Sequence, residues 1–368
     1  MEDFAQFGVL YALLVFLNFL HGPLLNEPLV LTSASDGLLR SRSSLRVMSI
    51  LFLPAAGLVA LAAPFQVESA KLQDLTLLFF AGVGSVFYWS SKAELHCALR
   101  HRGAFLVTVA TSLLMVSFVG LAISYGVNAS TAALMAIALS TICGGIFGQL
   151  IGGPREGRLD LSGALLHARI GVPSAAALWM AANGTVLLLA HLGRFDDVAG
   201  LRVVLAVLIP VNQVLIGLSS FLLPRFARQA PSAANSGGRE LWRLIGLCCI
   251  AAAVFSGVIL VCGDFVLGSL YGMEYERFSS WLSIGALVLP LCWVVITLLR
   301  TRLRGVGKGG RLLGIYTLSL LAGLPVSYVV LVGFGGISPI LSFSSIQICI
   351  AVVFMISFLR DNKVGHGR

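Results

Sequence analysis

The sequence predicts an all-α, polytopic integral membrane protein with about eleven transmembrane helices arranged as two lobes, five in the first and six in the second. Three observations predict it. The composition is 58% hydrophobic and only 11% charged, with a mean hydropathy of +0.95, whereas a soluble domain carries about 25% charged residues. Apolar runs long enough to cross a bilayer recur along the chain, and the cations between them alternate in density.

A bilayer-crossing helix needs roughly 20 mostly apolar residues. Taken in order, segments 7–31, 47–65, 75–90, 104–124 and 129–152 meet that requirement and form the first group. Segments 167–193, 199–223, 241–262, 279–300, 312–334 and 337–359 form the second. The sixth span is the most polar, because His167, Arg169, Asn183 and His191 dilute it. No polar stretch is long enough to build a domain outside the membrane, so function is expected inside the bundle.

Lys and Arg test that count independently, since cytoplasmic loops are enriched in them. One alternate set of connections holds Arg40, Arg42 and Arg46, then Lys92, Arg100 and Arg102, and continues through the Arg300–Arg311 turn to Arg368. The other set holds only Lys71, Arg194, Arg202 and Arg277, together with most of the acids. The split is 21 against 4 of the 25 cations. A miscounted span would swap every later loop and destroy the alternation. The count therefore predicts a cytoplasmic C-terminus, an outer Met1 and no signal peptide, because no basic segment precedes the first apolar run.

The net charge of +9 is dealt out among short loops, which is a topology signal and not a nucleic-acid face. The seven cysteines form no C-x-x-C pair and read as small apolar packing residues. No histidine spacing suggests a metal, and no cofactor is expected. Gly305-Val306-Gly307-Lys308-Gly309-Gly310 satisfies G-x-G-x-x-G but follows a membrane helix and not a strand, so it lacks the dinucleotide context. A phosphate-binding Walker loop is absent too, and any transport would be driven by a gradient or by a partner. Asp196-Asp197 could serve as the carboxylates of a lipid-dependent glycosyltransferase or polymerase, but they also fit a solvated outer loop. The Gly-rich stretch Cys143–Gly148 argues for close helix packing.

An internal similarity bears on the odd number of spans. Asp3-Phe4-Ala5-Gln6-Phe7-Gly8-Val9 and Asp197-Val198-Ala199-Gly200-Leu201 each precede an apolar helix on the outer side. This pairs span 1 with span 7 and leaves the second half one helix longer. A six-plus-six parent without its first helix accounts for both the odd count and the outer N-terminus. The two lobes are expected over 1–153 and 164–368.

Several short motifs then occur in a familiar order. Glu2–Gly8, Arg169-Ile170-Gly171-Val172-Pro173, Leu192-Gly193 with Ala199-Gly200-Leu201, Leu223-Pro224-Arg225-Phe226-Ala227-Arg228, Tyr271-Gly272-Met273-Glu274-Tyr275 and Leu303-Arg304-Gly305-Val306-Gly307-Lys308 together resemble polysaccharide-biosynthesis proteins. These are the Wzx-type lipid-linked oligosaccharide flippases of the multidrug/oligosaccharidyl-lipid/polysaccharide exporter superfamily, and the likeness leaves that family's first helix without a counterpart. It implies flipping of a polyprenyl-pyrophosphate-linked oligosaccharide across the inner membrane by alternating access, with no bond made or broken. The implied partners are the lipid-linked substrate, membrane lipids and other polysaccharide-assembly membrane proteins, with no nucleic acid. A drug/cation exporter of the same superfamily and a membrane glycosyltransferase are the alternatives.

Polar groups inside apolar runs are the cavity candidates, because they are costly in hydrocarbon and usually face the bundle interior. Span 1 offers His21 and Glu27, with Asn18 near the same helical face. Span 6 offers Arg169 and Asn183, and span 7 offers Arg202, Asn212 and Gln213. A cation such as Arg169 or Arg202 facing the cavity would hold a pyrophosphate.

Overall fold

A computed structural model describes residues 2–26, 52–61, 72–97, 100–152, 161–229 and 237–365, and among them all regular elements are helical. The first group is α1 (Glu2–His21, running into a π turn, Gly22–Asn26), α2 (Phe52–Leu61), α3 (Leu72–Cys97), α4 (His101–Ser124) and α5 (Ala129–Gly152). It is followed by α6 (Leu161–His191), α7 (Phe195–Gln229), α8 (Gly237–Tyr271), α9 (Ser279–Gly305), α10 (Gly309–Gly333) and α11 (Ser338–Gly365). Ten of these helices are long and apolar enough to cross a membrane. The eleventh, α2, falls within the expected span 47–65, whose flanks lie outside the described residues. The chain is a multi-pass membrane protein.

Surface composition agrees with that reading. On α8, Leu247, Ile250, Val254, Val258, Val261 and Phe265 are all exposed, spaced by three or four residues so that they form one apolar stripe. Phe105, Val109, Leu113 and Val116 repeat the pattern on α4. Stripes of this length would drive aggregation in water; against acyl chains they are the lipid face.

The chain divides into two compact units. The first comprises 1–179 with 186–196, and the second 180–185 with 197–368, so α6 contributes to both.

The core of the first unit joins Leu10, Leu13, Leu14 and Leu17 of α1 to Phe52 and Ala56 of α2, Leu78 and Ala81 of α3, and Leu134 and Ile137 of α5. Trp179 of α6 closes it, its ring 4.8 Å from that of Phe16 and its Nε1–H donating to the Ala12 carbonyl at 2.8 Å. Small residues let α3 and α5 cross closely. A Cβ placed on Gly148 would lie 2.8 Å from the Ser91 Cβ, and one on Gly145 would overlap the Phe87 ring. The expected packing role of the 143–148 stretch is thus visible in its contacts, as is usual where helices associate without a hydrophobic driving force.

In the second unit α9 packs against α7 and α11 through Gly285, whose position faces Val204, Leu208 and Ile340. The Ser256 hydroxyl of α8 donates to the Ala286 carbonyl of α9. On α10 and α11, Ser327 and Ser342 share a buried hydrogen bond, Tyr316 meets Phe354 edge-on at 5.5 Å, and Arg311 donates to the Ser357 hydroxyl and carbonyl.

Three helices end in the same way. Gly126, Gly193 and Gly307 adopt φ of +75°, +69° and +71° just after α4, α6 and α9, and the two backbone bonds of a left-handed glycine cap form at each. The G-x-G-x-x-G run is therefore a helix stop followed by a helix start. Asp196 and Asp197 fall in the first turn of α7, where the amide dipoles favour acids.

Candidate functional site: buried polar groups in each unit

In the first unit, a row of polar side chains runs where α1, α3 and α5 meet. His21 ends α1, directly before the π turn, and is 3% exposed. Its Nε2 lies 2.9 Å from the Ser90 Oγ of α3, and the ring is flanked by Phe52 and Trp89 at 6.2 and 6.0 Å. On the next residue the chemistry turns toward α5. The glycines at 145 and 148 bring the α5 backbone within reach of Ser91, whose hydroxyl donates to the Gly145 carbonyl at 3.1 Å. Gln149, one turn further along α5, donates through Nε2 both to Ser91 Oγ at 3.1 Å and to the Glu94 carboxylate at 3.2 Å. Glu94 is 5% exposed.

The second unit holds a different set. Arg202 of α7 donates through Nη2 to Asn183 Oδ1 of α6 at 3.1 Å, and Asn183 is 3% exposed. Gln347 of α11 donates to the Ala181 carbonyl at 3.0 Å, so α6 is tied to α7 and α11 within three residues. The hydroxyls of Thr185 and Ser344 are also buried here, with no hydrogen-bond partner among the described residues.

Of the residues singled out from the sequence, the structure joins Asn183 to Arg202 and gives His21 a buried partner. Asn18, expected on the His21 face, is exposed: three helical positions turn it about 60° away, enough to leave the core. Arg169 is exposed on α6, Asn212 is half-buried and Gln213 exposed on α7, and Glu27 lies outside the described residues. Sequence reading passed over Ser90, Ser91, Glu94, Gln149 and Gln347. The signal for Glu94 was available: helix-permissive residues continue past Lys92, and the acid falls three positions after Ser91. Among the described residues, no three His, Cys, Asp or Glu side chains gather as metal ligands.

No family model and no curated protein matches the sequence. Solved structures do match, over nearly its whole length. A transporter of the MOP superfamily from Pyrococcus furiosus, described as having a binding pocket of reversed polarity, superposes with a TM-score of 0.72 at 13% identity and covers 98% of this chain and 87% of its own. The fold is that of the MOP-superfamily transporters. An outward-facing multidrug resistance MATE family transporter of this superfamily matches with a TM-score of 0.70 at 14% identity, over 98% and 87% of the two chains. The eukaryotic MATE transporter AtDTX14 matches with 0.65 at 15% identity, over 98% and 95%. The MOP fold thus accounts for both units of the chain, and the expectation from sequence holds at the level of the superfamily's architecture.

Proposed function

We propose that this chain is a secondary transporter of the MOP type, moving an amphipathic organic solute across the membrane by alternating access and making or breaking no covalent bond. The observation that carries the reading is the structural match at a TM-score of 0.72 across 98% of the chain. Polar side chains buried in membrane-spanning helices support it, since such groups mark substrate and ion paths. The charge asymmetry of the loops supports an inner-membrane location with the arginine-rich ends and the C-terminus in the cytoplasm.

The solved neighbours described as multidrug resistance transporters favour export of small organic molecules. A second reading, flipping of a polyprenyl-pyrophosphate-linked oligosaccharide, is favoured by Arg202, a cation inside a candidate span that suits a diphosphate, and by the order of the sequence motifs.

One pair of measurements tests both. Cells lacking the gene are compared with cells overproducing the protein for ethidium efflux and for lipid-linked glycan precursor. Faster efflux with normal precursor supports the exporter; accumulation of precursor on deletion supports the flippase. If neither quantity changes, the transporter reading fails.

A further inference from the structure

The stretches 225–243, 300–311 and 360–368 belong to one end of the second unit, because the helices α7 to α11 that they terminate alternate in direction. They hold twelve Lys and Arg against two acidic side chains, Glu240 and Asp361. Pairing both acids would leave most of those cations to be met by anions from outside these stretches, and a membrane surface supplies such anions.

At one place this end is shaped as well as charged. α9 packs against both α8 and α11. Toward α8 it presents Leu282, against the Gly263 position, and Ala286, whose carbonyl accepts from Ser256. Toward α11 it presents Gly285. The face left over carries Leu287, Leu291, Val295 and Arg302, at spacings that put them on one stripe. Leu287 and Leu291 are exposed, and Val295 and Arg302 are half-buried. The stripe is thus apolar until it reaches a cation. At about 1.5 Å per residue Leu291 stands about 16 Å from Arg302 along the helix, close to one leaflet's share of a hydrocarbon layer about 30 Å thick.

The flanking helices close around Arg302. Its guanidinium carbon lies 4.9 Å from the centroid of the Phe358 ring of α11, and Trp242 of α8 meets the same ring at 5.4 Å. Trp242 is 37% exposed, as suits an indole at the boundary between acyl chains and headgroups, and Arg243 beside it is exposed. Arg311 of α10 donates to Ser357 through Nε and Nη2, which fixes the turn of α11 that carries Phe358. A guanidinium held in this way offers a planar fork that matches the oxygens of a phosphate.

We propose that this face of α9 binds an anionic diacyl phospholipid of the bilayer, its phosphate against Arg302 beside Trp242 and one acyl chain along Val295, Leu291 and Leu287. The apolar stripe accepts any acyl chain; the excess of cations selects a net negative headgroup over a zwitterionic one. The lipid is a resident of the surface and not the transported solute, so the site stands whichever solute is moved.

The test uses the full-length protein in proteoliposomes containing phosphatidylglycerol or phosphatidylcholine brominated near the glycerol, bromine being a contact quencher of indole fluorescence. Subtracting the signal of Trp242→Phe from that of the wild type isolates Trp242. Brominated phosphatidylglycerol is expected to quench it at about fivefold lower mole fraction than brominated phosphatidylcholine, the preference that one cation near the surface supplies. Arg302→Ala is expected to remove that preference, and Arg225→Ala, which takes an exposed cation from the same end, to keep it. Equal quenching of the wild type by the two lipids overturns the proposal even if Arg302→Ala does not fold. Equal loss in both arginine variants also overturns it, since the preference would then belong to the general surface charge. A wild-type preference abolished by excess inorganic phosphate would mark a free-anion site and overturns the assignment to a lipid. Quenching is read without any solute, so its failure leaves the transporter reading untouched, and loss of ethidium efflux leaves this one untouched.

Discussion

Arg202 Nη2 donates to Asn183 Oδ1 at 3.1 Å, linking the start of α7 to the last third of α6 within the second unit. Hydrogen bonds between membrane helices are worth about 0.6 kcal/mol on average and up to about 1.7. Asn183→Leu removes the acceptor while roughly keeping volume, and is expected to lower stability by about 1 kcal/mol or more, because a cation is left with one fewer partner. Thermal unfolding in detergent measures it. Arg202→Ala separates the two substrate readings: it is expected to abolish movement of a diphosphate-headed lipid and to leave ethidium efflux largely intact.

Trp179 contributes both a ring and a donor to the first unit. Trp179→Phe keeps most of the ring and deletes the bond to the Ala12 carbonyl, for an expected loss of about 1 kcal/mol. Trp179→Ala also opens a cavity and is expected to cost about 3–5 kcal/mol. Equal losses for the two variants, read by denaturant-induced unfolding in mixed micelles, would show that the indole donor and not the packing carries the effect.

The glycines sort into two kinds. At Gly145 any side chain collides with Phe87, so Gly145→Leu is expected to destabilise the protein by about 1–3 kcal/mol or prevent its accumulation. At Gly246, in the interior of α8, a Cβ meets nothing within 4 Å. Gly246→Ala is therefore expected to raise stability by about 0.4–1 kcal/mol through the unfolded chain. Size-exclusion profiles after stepwise heating order the two against the wild type.

Orientation is open to a chemical check. Lys308 lies in the turn between α9 and α10, and Glu274 in the connection between α8 and α9. If cations mark the cytoplasmic side, Lys308→Cys is expected to react with a membrane-impermeant maleimide in inside-out vesicles only, and Glu274→Cys in intact spheroplasts only. The reverse pattern would invert the assignment.

Much of the fold was legible because apolar length and loop charge are local properties. The boundaries were less so. The run 75–90 stopped short at Lys92 and Glu94, while α3 continues to Cys97: Lys92 lays its stem along the helix and rests on Tyr88, and Glu94 is met by Gln149. Neither charge ends the helix, because each is compensated by a neighbour the linear pattern does not reveal. His21 stood out as a lone imidazole in an apolar run, and it is buried. Its partner Ser90 is 69 positions away, and Gln347 bonds a carbonyl 166 positions away. Such pairings depend on which helix faces meet, and a single sequence carries no record of that. The Arg202–Asn183 link was half visible: both residues were chosen as polar intruders, and only the fold shows that they answer each other.

α7 and α8 are 35 residues each, which is about 52 Å of helix against a hydrocarbon layer of about 30 Å. Tilt absorbs only part of the excess. Arg225 on α7, and Glu240 and Arg243 on α8, are exposed and mark the ends where polar turns extend the rods past the acyl chains. These ends offer polar handles on a protein whose exposed surface is otherwise largely apolar. A nanobody or fused scaffold protein clamped across them would give electron microscopy a fiducial on a membrane protein of only 38.9 kDa.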